Sequence, residues 1–268
     1  MISITPAKVG CTPNNKLAAS TASATHPTAT SSVISPPPKP SNPSPPETST
    51  WLQPLPLTRD SETWTYSLND GPQIHKFPIS VTGVISAVTK TPAQMAQIMA
   101  KRQSWEARGN TTHLALQHLV NHRWNPASTW KTPPDLTSDD YKHFSTYIGP
   151  MIEHPIWDAI TPIGSELMVY CLKRNVAGTL DLIFQFPDDT YGIADLKTLG
   201  PAGKPYDIKP QLGAGVHMAG DRYGLLFSRC LSLWARPGAF QVQTHDAQEC
   251  LDSWWSVLDQ YETRFRPF

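Results

Sequence analysis

The sequence predicts an α+β fold, a mixed α/β core in which one central β-sheet is flanked by helices. Segments with helical character open the folded part of the chain, and a run of apolar strand-like segments follows over residues 166–198. A helix, two more strands and a final amphipathic helix complete the order. Strands grouped between helices in this way are typical of a single sheet covered by helices.

The chain divides by composition into a tail and a folded domain. Residues 1–50 are rich in Pro, Ser, Thr and Ala, and no acidic residue precedes Glu47. Such a segment buries too little apolar surface to offset its ordering entropy, so we expect a disordered tail. An organelle transit peptide is the alternative, although the segment contains no arginine. The folded domain is expected over residues 51–268, a length that suits one domain.

Three helices are expected before the main strands, over residues 93–105, 111–122 and 138–153. Thr91 is a suitable N-cap for the first of them, and Pro92 suits its first helical position. The segment just upstream, residues 77–85, is rich in β-branched residues and is expected to form a strand or a strand and a turn. Residues 123–137, which contain three prolines, are expected to form a loop.

Five strands are expected in the second half, over residues 166–173, 178–186, 191–198, 223–235 and 240–244. A helix over residues 206–218 should separate the third strand from the fourth. Residues 246–261 carry large apolar side chains at helical spacing, which predicts a closing amphipathic helix.

The most specific signal lies in the predicted hairpin over residues 178–198. Its turn is Pro187-Asp188-Asp189-Thr190, and strand periodicity places Asp195 and Lys197 on one face. Asp181 can join them from the neighbouring strand. Two carboxylates can hold Mg²⁺ or Mn²⁺, and an adjacent amine can position a water molecule or offset phosphate charge. The alternative is a surface salt-bridge triplet, against which the apolar neighbours of these residues argue.

Two further residues can extend this group. Glu166 begins the preceding predicted strand and can direct a carboxylate to the same cavity, although an acid at a strand end is usually only solvated. His113 lies on the helix upstream, where a single histidine is more often structural than a ligand.

The order of these residues resembles the PD-(D/E)xK nuclease superfamily, specifically its RecB-like exonuclease branch. The resemblance covers residues 77–217: a Gly-x-x-x-His segment, then Glu166, Gly-Thr-Leu-Asp, Asp-Leu-Lys-Thr and a glutamine that begins a helix. Residues 77–82, Phe-Pro-Ile-Ser-Val-Thr, also resemble the Pro-Ser-Val-Thr opening of some phage and mitochondrial members.

The resemblance implies a restriction-endonuclease-like core and a role for each matched residue. It makes His113, Asp181, Asp195 and the backbone carbonyl of Leu196 ligands of Mg²⁺ or Mn²⁺. The catalytic group is then Lys197, Asp181, Asp195, Glu166 and Gln211. Within that group, Lys197 orients or activates water, Glu166 is an additional acid, and Gln211 faces the DNA or the site. No iron–sulfur cluster is expected, because the four-cysteine frame of some members is absent.

The sequence departs from the family pattern at three positions. The tyrosine expected four residues after the glutamine is Gly215, which suggests a shorter helix or a partly lost role. The glutamate often found four residues after the histidine is Gln117, which removes one acid. Asn110 replaces a threonine near the expected start of the helix, where asparagine is a good cap.

The resemblance implies a metal-dependent DNA exonuclease that acts in recombination, repair or phage DNA processing. A structure- or site-specific endonuclease and a noncatalytic nucleic-acid-binding protein with a nuclease fold are the alternatives. The implied partners are DNA, as a duplex end or a single strand, and a single-strand-binding or recombination protein. Basic side chains that can contact phosphates, or merely aid solubility, are Lys101, Arg102, Arg108, Lys204 and Lys209. Trp255 cannot face inward together with Trp254, so it is a candidate for a DNA or partner surface.

The 22 basic and 22 acidic residues balance, so any DNA contact must be a local basic patch.

The cysteines Cys11, Cys171, Cys230 and Cys250 form no C-x-x-C pair, which argues against a zinc ribbon and an iron–sulfur ligand run. No stretch approaches the roughly 18 continuous apolar residues of a membrane span, and the first residues contain no apolar signal-peptide core. We therefore expect a cytoplasmic protein with reduced thiols and no membrane partner.

Overall fold

The computed structural model describes residues 51–265. Within this range it forms a mixed β-sheet flanked by helices, which confirms the expected α+β fold. The predicted disordered tail over residues 1–50 lies outside the described residues. Every helix in the described part of the chain is too short or too polar to cross a lipid bilayer.

Nine strands and seven α-helices make up the described part of the chain. In chain order they are β1 (Leu57–Arg59), β2 (Tyr66–Leu68), β3 (His75–Phe77), β4 (Ile79–Ser80), α1 (Val81–Thr89), α2 (Pro92–Ala100), α3 (Arg102–Trp124), α4 (Ser145–Ile152), α5 (Ile156–Ala159), β5 (Thr161–Cys171), β6 (Val176–Gln185), β7 (Tyr191–Thr198), α6 (Lys209–Tyr223), β8 (Phe227–Arg236), β9 (Ala239–Asp246) and α7 (Ala247–Phe265). A short 3₁₀ turn, Lys142–Phe144, precedes α4.

The strands form two sheets. Strands β1, β2 and β3 make a small antiparallel sheet. The main sheet has the order β4-β6-β7-β8-β9, and β5 also pairs with β6. Its β5–β6, β6–β7 and β8–β9 pairs are antiparallel, whereas β4–β6 and β7–β8 are parallel.

Helices cover both faces of the main sheet. Helices α1, α6 and α7 pack on one face through an apolar cluster that includes Trp234 and Trp254. Helices α3 and α4 pack on the other through a cluster that includes Leu116 and Trp157. The small sheet has its own apolar contact, in which Phe77 packs near Tyr170 of β5. Burial of these side chains on both faces is the main source of the free energy that holds the layers together.

The middle of β6 has one edge without a strand partner. Because β5 pairs with β6 along its whole length, β4 and β7 must share the other edge. Strand β4 pairs there with residues 176–177, and the pairing with β7 begins only at Leu182. Residues 178–181, which are Gly-Thr-Leu-Asp, therefore lie at a gap in the sheet, where side chains can enter between the strands.

Three predicted elements before the main strands were wrong in part. Residues 81–85 belong to α1 and not to a strand, because the Ser80 side chain accepts a hydrogen bond from the backbone N–H of Gly83 and caps a helix. The two helices expected over residues 93–105 and 111–122 are not separated at residues 106–110, because α3 continues through Gly109. The break between α2 and α3 falls at Lys101. The helix expected over residues 138–153 is a turn, the 3₁₀ turn and the shorter α4.

Other elements match the sequence closely. Thr91 and Gln94 form the two hydrogen bonds of a capping box at the start of α2, with Pro92 in the first turn. The hairpin of β6 and β7 is confirmed as an antiparallel pair. Strands β8 and β9 and helices α6 and α7 lie where they were expected, with ends displaced by a few residues.

Candidate metal centre

The predicted carboxylates of the hairpin lie where β6 and β7 separate. Asp181 and Asp195 are both buried, with 7% and 5% of their surface exposed. Oδ2 of Asp181 accepts a hydrogen bond from the backbone N–H of Leu196 at 2.6 Å. This side-chain bond replaces a ladder bond between strands, so it holds the separated strands together and fixes the Asp181 carboxylate in place.

His113 and Glu166 join Asp181 from two other elements. Nδ1 of His113, on α3, lies 3.3 Å from Oδ1 of Asp181 and 3.6 Å from Oε1 of Glu166 on β5. One ligand atom from each of the three residues lies within 4.8 Å of the others. Atoms that share one divalent ion at about 2.1 Å are roughly 3 to 4 Å apart, so the group fits such an ion with small adjustments.

Glu166 lies in the middle of a strand, so the expectation that it begins one was wrong. Ser165 pairs with Leu182 and Leu167 with Leu180, which places Glu166 opposite Asp181. Its backbone is in the left-handed region, with φ of 50°. A non-glycine residue there costs about 1 to 3 kcal/mol, and such strain is concentrated at functional sites. The chain therefore tolerates strain at the position that brings this carboxylate to Asp181.

Asp195, Lys197 and Gln211 form a second group beside the first. Nζ of Lys197 lies 2.6 Å from Oδ2 of Asp195, and Nε2 of Gln211 donates a hydrogen bond to Oδ1 of Asp195 at 2.6 Å. Gln211 lies in the first turn of α6, where the resemblance places a glutamine. Its implied role in facing the DNA or the site stays a prediction. Oδ1 of Asp195 thus accepts a hydrogen bond, whereas Oδ2 is buried and has the Lys197 ammonium as an ion-pair neighbour without hydrogen-bond geometry. Asp195 is not part of the compact group of three ligand atoms.

Leu196 contributes through its backbone, and its side chain is fully buried under α3 and α4. The N–H group of Leu196 is the one that bonds Asp181. Its predicted role as a carbonyl ligand stays a prediction.

The electrostatics of the first group favour a protonated histidine in the absence of metal. Burial alone would lower the pKa of His113, but the charges of Asp181 and Glu166 outweigh it and raise that pKa to about 10. Burial alone would raise the pKa of Asp181, yet His113, Lys197 and the Leu196 N–H hold it below its usual value. The imidazolium supplies the positive charge that balances the two carboxylates, so a metal ion must displace its proton.

The second group is also shaped by burial and charge. Burial and the nearby Asp181 raise the pKa of Asp195 to about 6, although Lys197 opposes this shift. Burial would lower the pKa of Lys197, but Asp195 and Asp181 raise it above its ordinary value. Lys197 therefore remains an ammonium at neutral pH, able to donate hydrogen bonds but not to accept a proton. Burial raises the pKa of Glu166, and His113 only partly offsets that effect.

Gly215 occupies a tight contact between α6 and the sheet. A Cβ atom at this position would lie 2.8 Å from Cδ2 of Leu180 and 3.2 Å from Cδ1 of Ile193. The missing side chain lets α6 approach the strands that carry the carboxylates. The suggestion of a shortened helix was wrong, because α6 runs from Lys209 to Tyr223.

Two residues near the site had no signal in the sequence. Tyr206 lies in the loop between β7 and α6, its ring 5.2 Å from that of Trp234 and its surface 55% exposed. Burial of its hydroxyl raises the pKa of Tyr206, and Lys197 and Asp195 are close enough to act on that pKa. Arg59 of β1 is close enough to lower the pKa of Glu166 by its charge. Tyr206 lies between Lys197 and Gln211 in the chain, whereas Arg59 comes from a segment remote from the motifs.

Several predicted DNA-contacting residues have partners within the chain. Arg102 forms an ion pair with Glu106, and Arg108 donates a hydrogen bond to the Thr198 hydroxyl. Trp255 is half-buried between the ring of His217 and the guanidinium of Arg174. Lys101 and Lys204 are exposed and Lys209 is half-buried.

The chain matches no protein-family model and no curated protein sequence.

Proposed function

We propose that this protein is a divalent-metal-dependent nuclease that hydrolyses the phosphodiester bonds of DNA, acting as an exonuclease. One observation carries the proposal: ligand atoms of His113, Glu166 and Asp181 converge within 4.8 Å from three separate elements. Asp195 and Lys197 stand beside them on the adjoining strand. A buried set of acids with one imidazole and one ammonium suits the binding of a hard cation and an anionic substrate.

The ligand set fits Mg²⁺ or Mn²⁺ better than a softer metal, because two of its three donors are carboxylate oxygens. When bound, such an ion neutralises the nonbridging phosphate oxygens and lowers the pKa of a coordinated water molecule. His113 must be neutral to act as a ligand, whereas Glu166 and Asp181 must be ionised.

The second group supplies the contacts to the reacting phosphate. Lys197 stays protonated, so its role is to orient water and to stabilise the negative charge that builds up on phosphorus-bound oxygens. Asp195 positions the Lys197 ammonium, and Gln211 in turn positions Asp195 through their 2.6 Å hydrogen bond. The three side chains act as one unit, because moving any of them displaces the next.

The biological setting is part of the same proposal. We place the activity in recombination, repair or phage DNA processing, together with a single-strand-binding or recombination protein. We place the protein in the cytoplasm, in keeping with the buried thiols of Cys230 and Cys250, which contact each other as free thiols.

Digestion of end-labelled DNA tests the proposal. Duplex, single-stranded and covalently closed circular DNA are each incubated with the protein and Mg²⁺, Mn²⁺ or a chelator. We expect metal-dependent release of nucleotides from linear DNA, loss of that release in Asp181→Asn, and no cleavage of the circle. Asp188→Asn is the matched control, because Asp188 lies in the exposed turn of the same hairpin.

The outcomes separate the alternatives. Cleavage of the closed circle would indicate an endonuclease. Metal-independent cleavage, or full activity in Asp181→Asn, would contradict the site. No cleavage of any DNA with either metal would contradict the proposed enzyme and favour a noncatalytic nucleic-acid-binding protein.

A further inference from the structure

Trp234 of β8 lies beside Lys197 of β7 on the face of the main sheet that α6 covers. The two strands are parallel, and their register pairs Lys197 with Trp234 and Asp195 with Ser232. Paired residues of neighbouring strands point to the same face, and Asp195 meets Gln211 of α6 on that face. The Trp234 side chain is buried. Its indole therefore forms a wall next to the Lys197 ammonium.

Tyr206 packs against this wall from the loop between β7 and α6. Its ring centroid lies 5.2 Å from that of Trp234, and the two ring planes meet at 72°. This edge-to-face arrangement is one that aromatic pairs prefer. More than half of the Tyr206 surface is nevertheless exposed. The tyrosine therefore has one side fixed on the wall and another open to solvent beside Lys197.

The loop that carries Tyr206 is anchored on both sides of it. Leu199 is buried, and its backbone N–H donates a hydrogen bond to the carbonyl of Ala235 at 2.8 Å. Ile208 is buried as well, and its carbonyl accepts a hydrogen bond from the backbone N–H of Gln211 at 3.0 Å. These contacts join the loop to β8 and to the first turn of α6. Tyr206 is therefore held in place before any ligand binds.

The hydroxyl of Tyr206 is a donor without an acceptor. It forms no hydrogen bond with any residue in the range 51–265. Lys197 and Asp195 are close enough to act on its pKa, and burial keeps that pKa raised, so the hydroxyl keeps its proton. Oδ1 of Asp195 already accepts a hydrogen bond from Gln211. An unpaired donor thus lies near the Lys197 ammonium.

A phosphate group supplies the acceptor that this hydroxyl lacks. Nonbridging phosphate oxygens accept hydrogen bonds, whereas an ammonium and a protonated hydroxyl both donate them. A bound divalent ion offsets the charge of the carboxylates, so that a phosphate can lie beside Lys197. The side of Tyr206 that is open to solvent leaves room for such a group to enter.

We propose that the Tyr206 hydroxyl donates a hydrogen bond to a nonbridging oxygen of the phosphate that Lys197 contacts, so that both side chains bind the reacting group. Trp234 supports the tyrosine ring, and the anchored loop holds the ring there before the substrate arrives. The inference rests on the proposed nuclease function and adds a substrate contact to it.

Removal of the hydroxyl alone tests the contact. The proteins are the wild type, Tyr206→Phe, Tyr206→Leu and Tyr191→Phe. Tyr206→Phe keeps the ring against Trp234, whereas Tyr206→Leu removes the ring and the hydroxyl together. Tyr191 is the matched control, because it is a half-buried tyrosine at the opposite end of β7 from Lys197. The Mn²⁺ affinity and the thermal unfolding of each protein are measured first.

Binding and cleavage are then measured separately. Fluorescence anisotropy of a labelled single-stranded DNA oligonucleotide with Ca²⁺ as the metal gives the affinity, and a gel confirms that the oligonucleotide stays intact. Single-turnover digestion with Mn²⁺ gives the rate. We expect Tyr206→Phe to bind several-fold more weakly and to cleave about 10- to 100-fold more slowly than the wild type. Its Mn²⁺ affinity and unfolding temperature, and every value for Tyr191→Phe, should match the wild type.

Substitution of sulfur for oxygen identifies the contacted atom. A phosphorothioate at the cleaved linkage exists as two diastereomers, each of which replaces one nonbridging oxygen with a poorer acceptor. In one diastereomer, we expect the wild type and Tyr206→Phe to cleave at nearly the same rate, because both changes remove the same hydrogen bond. In the other, the ratio of the two rates should stay as it is for unmodified DNA. A ratio that stays unchanged in both diastereomers would overturn the contact.

The outcomes separate this contact from the proposed chemistry. Weaker binding by Tyr206→Phe, without cleavage by any of the proteins, would support the phosphate contact and contradict the nuclease. Wild-type binding and cleavage by Tyr206→Phe would overturn the contact alone, and a defect confined to Tyr206→Leu would point to stacking on a base instead. Loss of Mn²⁺ affinity or of thermal stability in Tyr206→Phe would make the tyrosine structural. A wild type that neither binds nor cleaves DNA would overturn both proposals.

Discussion

His113 of α3 and Asp181 of β6 meet with 3.3 Å between Nδ1 and Oδ1, although they come from different layers of the fold. The gap in the edge of β6 makes this contact accessible, because no strand covers residues 178–181 there. The imidazole holds together two acids that would otherwise repel each other. Its proton must leave before a divalent cation can bind all three residues.

Metal binding should release a proton from His113. The pKa of this imidazole is raised from 6.5 to about 10 in the metal-free protein, so it is protonated at neutral pH and must be neutral to bind metal. We therefore expect the affinity for Mn²⁺ to rise about tenfold per pH unit between pH 6.5 and 8.5. Calorimetric titration in buffers of different ionisation enthalpy measures both the affinity and the released proton.

The variant His113→Gln should bind Mn²⁺ with little pH dependence over the same range, because its side chain carries no titrating proton. His143→Gln, at an exposed histidine in the 3₁₀ turn, is the control and should behave like the wild type. A wild-type affinity that stays constant with pH would argue that His113 is a structural residue and not a ligand.

Stability without metal should depend on pH through the same residue. A folded-state pKa above the unfolded value means that His113 stabilises the fold fully below about pH 6.5 and loses this contribution as pH rises toward 10. We expect urea denaturation to show a falling free energy of unfolding across this window. In His113→Gln the decline should be smaller. An equal decline in both proteins would exclude His113 as its source.

Lys197 should be needed for cleavage but not for metal binding. It contacts Asp195 and is not one of the three converging ligand residues. We expect Lys197→Ala to lower the single-turnover cleavage rate by about 10² to 10⁴, while its Mn²⁺ affinity stays within a few-fold of the wild type. Lys142→Ala, at an exposed lysine that pairs with Asp139, serves as the control for loss of charge. Equal loss of metal binding and cleavage would place Lys197 in a structural role.

The backbone strain at Glu166 should lower stability, while its carboxylate should strengthen metal binding. Its φ of 50° suits asparagine better than glutamate or glutamine. Without metal, we expect the free energy of unfolding of Glu166→Asn to be about 1 kcal/mol larger than that of Glu166→Gln, because only asparagine relieves the strain. Both variants should bind Mn²⁺ at least about tenfold more weakly than the wild type. Equal stability of the two variants would show that the backbone is not strained.

Gly215 should be required for the close approach of α6 to the hairpin. The added methyl group of Gly215→Ala would lie 2.8 Å from the Leu180 side chain, so we expect a loss of about 1 to 3 kcal/mol in the free energy of unfolding. In Gly220→Ala the new methyl group has its nearest contact at 3.4 Å, and the better helix propensity of alanine should leave stability unchanged or raised. Urea denaturation of both variants separates the effect of the steric contact on the free energy of unfolding from the effect of helix propensity.

Sequence patterns predicted the elements whose signals are local. The hairpin of β6 and β7 follows from two apolar runs and a turn between them, and the start of α2 follows from Thr91 and Pro92. Local signals also misled in places, because the β-branched residues of α1 favour a strand when tertiary contacts are ignored. The buried positions of Val81 and Val84 in the core outweigh that preference.

The sequence by itself determined the α+β order of elements and the placement of Asp181, Asp195 and Lys197 on one hairpin, because strand periodicity and turn chemistry act over a few residues. Only the tertiary structure decided that His113 and Glu166 converge on Asp181, that Glu166 is held at a positive φ, and that Arg59 of β1 is close enough for its charge to lower the pKa of Glu166. These contacts join residues far apart in the chain. They depend on how the layers pack and where the sheet leaves a gap, and no local pattern encodes those distances.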